Sequence, residues 1–220
     1  MHALEAFEVY RFYHAGEEET LALRGVSLRL DAGELVAVTG PSGSGKSTLL
    51  SCLAGLDEPD GGHVELMGQR LTRRPEALRA QLRARHIGML LQFGNLFDHL
   101  TLANNVRLQM LLAHRADEPR LERLLGMVGL RERRHARATQ LSGGESALAG
   151  LAVALAAAPD ILLADEPTAE VDAETEGQIL AILEDRRNQG AAILIATHSL
   201  ALTRRADRVV QIEDGRLVVD

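Results

Sequence analysis

The sequence predicts an α/β fold: a mostly parallel sheet covered on both faces, an antiparallel β patch at one edge, and a helical segment inserted into the core. Three observations lead there. Short apolar runs alternate with helical patterns, namely LVAVTG (35–40), HIGMLLQ (86–92), DILLADEP (160–167) and AAILIATHS (191–199). Near-continuous apolar strands separated by helices are the pattern of a sheet buried on both sides. The opening differs: AFEVYRFY, LRGVSLRL and GGHVELMG alternate polar and apolar residues with turn residues between them, which predicts antiparallel strands with one wet face. The stretch from 101 to about 140 is helical and arginine-rich. Within it Leu121, Leu124, Leu125 and Val128 recur at helical spacing, with Pro119 near the start and Gly129 near the end.

A length of 220 residues suits one domain, 1–220, carrying a subdomain. The net charge is −7, with acids and arginines mixed along the chain, so no basic face is expected and no nucleic-acid partner. Cys52 is the only cysteine; it cannot form an internal disulfide, which fits a reducing compartment, and the run LLSCLAGL around it reads as core. The N-terminus lacks a basic-then-apolar signal pattern, and no apolar run approaches the ~18 residues of a membrane span. The expectation is a soluble chain that needs a partner for any membrane role. The basic run RERRHARA (131–138) reads as a solvated surface segment.

Chemistry concentrates first in GPSGSGKST: Gly40, Pro41, Ser42, Gly43, Ser44, Gly45, Lys46, Ser47 and Thr48. Its first eight residues match G-x-x-x-x-G-K-[ST] after a strand and at the start of a helix, the context of a P-loop. The glycines let successive N–H groups turn toward the α- and β-phosphates of a nucleoside triphosphate, and the positive helix end adds attraction. Lys46 is the only lysine beside 23 arginines. Its compact ammonium on a flexible stem reaches the β/γ-phosphates, where a planar guanidinium would not fit. Ser47 offers a hydroxyl to Mg²⁺.

Asp165 and Glu166 end the strand ILLADE, at the edge of a parallel sheet where ligands bind. Asp165 is expected to hold Mg²⁺ and Glu166 to act as general base toward the attacking water. His198 ends the last apolar strand, as a loop residue or as a γ-phosphate contact that holds the water. Gln92 ends HIGMLLQ, as a ligand of Mg²⁺ or the water, or as an ordinary strand-end amide. LSGGE comprises Leu141, Ser142, Gly143, Gly144 and Glu145. Ser142 and Glu145 form a capping box that starts a helix whatever its function, and the same exposed N–H groups suit a phosphate.

Together GPSGSGKST, LLQFGNLFDHLT, LSGGE, ILLADEPT and IATHS resemble, in order and spacing across the chain, the ATP-binding cassette (ABC) ATPases. Ser142 follows Lys46 by 96 positions, which fits the helical subdomain of transporter cassettes, here about 95–158. The resemblance implies two cassettes, as a homodimer, sandwiching two ATP molecules with Mg²⁺. Each site would take the P-loop, Asp165, Glu166 and His198 from one chain and LSGGE from the other. It also implies that Tyr13, rather than Tyr10, stacks on adenine, that Asp172 is the D-loop aspartate, and that Gln92 couples the site to an integral membrane permease. The chain would then sit in the cytoplasm, on the inner face of the membrane. Within the family it looks most like the lipoprotein-release and macrolide-export group; a cell-division-type ATPase that signals without transport is the alternative. One departure stands out. Relatives continue LSGG with arginine and glutamine, whereas Ser146, Ala147, Leu148 and Val153 stand here. The residues expected to touch phosphate are all present, so the sandwich is expected to form.

Overall fold

The computed structural model describes residues 2–15 and 18–218. The chain opens with a hairpin of two long strands, β1 (Leu4–Ala15) and β2 (Glu18–Leu30). Strand β3 (Leu35–Thr39) and helix α1 (Lys46–Leu53) follow, then β4 (Gly61–Leu66) and β5 (Gln69–Arg70). Helix α2 (Glu76–His86) leads into β6 (Ile87–Leu90). Next come α3 (Leu102–Leu112), α4 (Glu118–Met127) and α5 (Gly143–Ala154), with 3-10 turns at Arg131–Arg133 and Ala138–Gln140. Strand β7 (Ile161–Asp165), α6 (Ala173–Asn188), β8 (Ala192–Ala196), α7 (Leu200–Thr203), β9 (Arg208–Glu213) and β10 (Arg216–Val218) complete the fold.

The main sheet has six strands in the order β10-β9-β3-β8-β7-β6. All its pairings are parallel except that of β9 with β10. The four apolar runs are its four inner and edge strands β3, β6, β7 and β8, each shorter than its run: His86 ends α2, and Gln92 lies beyond β6. The alternating segments form their own four-stranded antiparallel sheet, β2-β1-β4-β5, rather than an edge of the parallel one. Their single apolar face explains this, because it needs a layer to cover and not a neighbour to pair with. The antiparallel edge of the main sheet is instead the C-terminal hairpin. That hairpin and α2 escaped the sequence reading, α2 because it has no fully buried residue and so no clean apolar stripe.

Burial with a period of two sorts each parallel strand between two cores. Ile161 and Leu163 of β7, with Val36, Val38, Leu194 and Ala196, face α1 and the antiparallel sheet. Leu162 and Ala164, with Leu35, Ile193 and Ile195, face α5, α6 and the helices before them. Leu121, Leu124, Leu125 and Val128 all point into this second core, as their spacing predicts. Leu148 and Val153 are buried there too, 6% and 8% exposed, so α5 presents apolar packing where arginines would have to be desolvated.

Capping is done with side chains. Thr101 accepts from Asn104 N and Asp117 from Arg120 N at the starts of α3 and α4. At the far end of α5, Arg120 donates to the carbonyls of Leu155 and Ala156 (2.8 Å each), and Arg115 to that of Ala157 (2.7 Å). These anchor the turn that leaves the helix and place positive charge at its negative end. The basic run is likewise structural rather than merely solvated: Arg134 pairs with Glu122, and Arg133 forks onto Glu145.

Cys52 lies in α1 with no solvent exposure, and burial pushes its thiol up to about 12. The thiolate is the reactive form. The native chain at pH 8 is therefore expected to leave an aromatic disulfide reagent unreacted, and to consume one equivalent once unfolded in urea. Prompt reaction of the native chain would contradict this packing.

Candidate functional site

The parallel strands share a direction, so the loops that follow β3, β6, β7 and β8 emerge at one edge of the sheet. After β3 the backbone turns through Gly40 (φ 150) and Gly45 (φ 108), conformations that other residues resist. Space forbids a side chain as well. A Cβ on Gly40 would lie 2.1 Å from Ile212 O, and one on Gly45 would lie 2.5 Å from Ala22 O. Helix α1 starts at Lys46 with no side-chain cap, so its first N–H groups remain for a ligand. Lys46 is only 8% exposed and donates to Gly40 O (2.8 Å) and Pro41 O (3.0 Å), folded over its own loop. Ser44 Oγ is buried in the same loop and makes no hydrogen bond among the described residues.

Asp165 is the last residue of β7, and Glu166 follows with φ 47, a left-handed conformation that is costly for a non-glycine residue, at about 1–3 kcal/mol. Its N–H donates to Ala196 O (2.8 Å), which fastens the turn to the end of β8. That turn aims the side chain at the neighbouring loop. Oε2 accepts from His198 N (3.2 Å) and Oε1 lies 3.4 Å from His198 Nε2. The second approach falls outside hydrogen-bond geometry, so Oε1 makes no hydrogen bond among the described residues. The His198 ring itself is exposed.

A cleft of ≈ 780 Å³ gathers Tyr13, Lys46, Ser47, Gln92, Asp165, Glu166 and His198. Ser42, Gly43, Gly45 and Thr48 line it as well, whereas Gly40, Pro41 and Ser44 do not. Tyr10 lies elsewhere: its ring is held against Gly61 and Gly25, where an added Cβ would approach to 3.1 and 2.8 Å. Tyr13 is anchored by its hydroxyl, which donates to Asp57 Oδ2 (2.7 Å), and Arg11 lies over its ring at 4.7 Å. Arg11 also pairs with Asp57 (2.8 Å) and Asp60 (3.0 Å). Burial works to raise the Asp57 carboxyl, yet the hydrogen bonds from Arg11 and Tyr13 prevail and hold it below the usual carboxylate range. The Tyr13 phenol is pushed up by burial and by the hydrogen bond it donates to Asp57.

Several lining residues carry no local sequence signal. Arg24 comes from β2, and Asp214 and Gly215 from the turn between β9 and β10; Thr168 and Ser199, the last residues of ILLADEPT and IATHS, come from the loops after β7 and β8. Gly215 N donates to Ser44 O (3.0 Å), so the C-terminal hairpin supports the phosphate loop directly.

LSGGE stays outside this cleft. Ser142 caps α5 by accepting from Glu145 N (3.2 Å), and Glu145 Oε2 accepts from Ser142 N (2.8 Å). That backbone donor, with Arg133, holds the Glu145 carboxyl below its ordinary range. Ser142 and Gly143 are exposed, and Leu141 is half-buried beside them. A Cβ on Gly144 would meet Thr175 Oγ1 at 2.9 Å, which presses the start of α5 onto the start of α6. There Asp172 caps α6 by accepting from Thr175 N (2.8 Å), which lowers its carboxyl, and it too lies outside the cleft.

Among the described residues no group of three or more His, Cys, Asp or Glu could hold a metal. The cleft's oxygen donors include the three expected to face a cation, the Ser47 hydroxyl, the Asp165 carboxylate and the Gln92 amide oxygen. A few hard oxygen donors beside a phosphate cradle fit Mg²⁺, which keeps waters and takes phosphate oxygens.

The ABC transporter family profile matches residues 23–169. The chain is 41% identical to the lipoprotein-releasing system ATP-binding protein LolD of Anaeromyxobacter dehalogenans, over 99% of this chain and 93% of that one. It is 39% identical to the macrolide export ATP-binding/permease protein MacB of Salmonella typhimurium, over 98% of this chain but 34% of that one, so it spans about a third of that relative. Among solved structures it superposes on the dimeric ATP-binding cassette MJ0796 bound to ADP and Pi with a TM-score of 0.93, at 31% identity over 98% and 97% of the two chains. With the phosphate loop, the two acidic residues and the histidine on one edge of the same fold, the chain belongs to the ABC transporter family and is one of its ATPase cassettes.

Proposed function

We propose that this cassette hydrolyses ATP between two copies of itself and so drives an integral membrane permease of the lipoprotein-release or macrolide-export kind. One observation carries the reading: a single chain collects every expected catalytic residue in one cleft and leaves LSGGE and Asp172 outside it. The exposed start of α5 is then a half-site for the partner's nucleotide, and Asp172 lies at the seam between copies. Residues 95–158 serve as the inserted helical subdomain that carries this half-site. No helix among the described residues is long and apolar enough to cross a membrane, so membrane association would come through the permease, with Gln92 reporting to it. Likeness to LolD and MacB supports the choice of permease class.

In this mechanism Tyr13 receives adenine on the ring face opposite Arg11. The N–H groups at the start of α1 cradle the α- and β-phosphates. Lys46 exchanges its loop carbonyls for β- and γ-phosphate oxygens. Ser47, Asp165 and Gln92 would hold Mg²⁺, which would supply charge neutralisation for the phosphates. Glu166 takes the proton of the attacking water, while His198 contacts the γ-phosphate and keeps the water in place.

The sole lysine fills a tight, nearly buried space, so Lys46→Arg is expected to weaken ATP binding about as much as Lys46→Ala. A lost charged hydrogen bond of about 1.5–3 kcal/mol corresponds to roughly 10–10²-fold. Binding of a fluorescent ATP analogue to the Arg variant at wild-type strength would refute this. Glu166→Gln is expected to bind ATP normally and to release phosphate ~10²–10⁴-fold more slowly, measured at steady state. The same variant on a sizing column is expected to elute as a dimer with ATP and as a monomer with ADP. A monomer in both would mean that LSGGE does not complete the site.

A further inference from the structure

Glu176 has no part in the mechanism above, yet it joins the loops that carry it. It lies in the first turn of α6, half-buried behind the cleft. Its Oε1 accepts from Ser199 Oγ (2.7 Å) and from Thr168 Oγ1 (3.3 Å). Ser199 is the residue after His198, and Thr168 is the second residue after Glu166. Both hydroxyl residues line the nucleotide cleft, so the carboxylate clamps the two walls from behind.

An ionised carboxylate only accepts, so both hydroxyls must turn their hydrogens toward it. That leaves Ser199 Oγ free to accept from Leu202 N (3.3 Å) and so to cap α7. Ser199 N donates in turn to Thr197 Oγ1 (2.9 Å), which completes a chain of bonds across the loop after β8. The position of Glu176 is itself held from the helix: its N–H donates to Asp172 O (2.9 Å), and an acid suits the positive end of α6. On the cleft side the same two loops meet through the Glu166–His198 contacts of 3.2 and 3.4 Å, and Glu166 N–H also holds the end of β8 at Ala196 O (2.8 Å).

We propose that Glu176 is a positioning residue that ties the loop after β7 to the loop after β8 and thereby holds Glu166 in register with His198. This rests on the reading of Glu166 as the general base. Misplacing a base by about 1 Å can cost ~10²-fold in rate, while nucleotide affinity, set mainly by the phosphate loop and Tyr13, is untouched. The signature is a fall in kcat without a rise in KM.

The test uses the full chain with Glu176→Ala, Glu176→Gln and, as a control on the same helix turn, the exposed Glu174→Ala. Phosphate release by Glu176→Ala is expected to fall about 10–10²-fold in kcat with KM for ATP unchanged. Glu176→Gln, whose amide oxygen still accepts both hydroxyls, is expected to recover most of the rate, and Glu174→Ala to match wild type. Without nucleotide, amide exchange at 167–169 and 197–199 is expected to quicken in Glu176→Ala alone. A wild-type kcat in Glu176→Ala, a Gln variant as slow as the Ala variant, or a change confined to KM would overturn the tie. Wild-type turnover by Glu166→Gln would instead overturn the base assignment beneath it, so the two failures are told apart.

Discussion

Two backbone carbonyls, Ile212 O and Ala22 O, press on the phosphate loop so closely that neither Gly40 nor Gly45 has room for a side chain. The rest of the site depends on that contact. Ala22 belongs to the antiparallel sheet and Ile212 to the C-terminal hairpin, so the loop is squeezed between two layers from distant parts of the chain. Packing from behind fixes the curl of the loop and leaves its N–H groups to face the cleft. Lys46, nearly buried, folds back onto the same loop at Gly40 O and Pro41 O. The antiparallel sheet thus does two jobs: it buttresses the phosphate loop and, through Tyr13, supplies one wall of the cleft.

Charge is divided in an instructive way. The arginines whose partners are visible are mostly spent on structure: Arg115 and Arg120 on the end of α5, Arg133 on Glu145, Arg134 on Glu122, and Arg11 on Asp57 and Asp60. A guanidinium is well made for this, since it bridges several carbonyl or carboxylate oxygens in fixed directions. The phosphate loop asks for the opposite, a single compact charge that can leave two carbonyls and reach a ligand. In a chain that otherwise uses arginine throughout, that demand explains a lone lysine at Lys46.

Helix α5 separates two demands that share one segment. Its N-terminus is exposed and is held by the Ser142–Glu145 capping box and the Arg133 fork. Its body is buried against β6, α3 and α6, where Leu148 and Val153 add apolar packing. Residues with basic side chains at those two positions would need partners inside the core. The apolar body of α5 therefore belongs to the packing of the helices on the sheet, and the exposed surface is confined to the first turn.

What the sequence by itself determined is whatever depends on neighbours a few residues apart. Buried parallel strands are legible because both faces are covered, and the capping box and the P-loop because each is one continuous segment with obligatory glycines or hydroxyls. Asp165, Glu166 and His198 were legible for the same reason, since each sits at the end of an apolar run and parallel strands bring such ends together. The tertiary structure decided the rest. It placed Tyr13 at the cleft, held there by the Arg11–Asp57 pair, and packed Tyr10 against Gly25 and Gly61. It showed the antiparallel strands to be a separate layer, brought in Arg24, Asp214 and Gly215, and left LSGGE outside the cleft. Such contacts join residues far apart along the chain, and their geometry is set by how layers pack, for which no local spacing of residues leaves a trace.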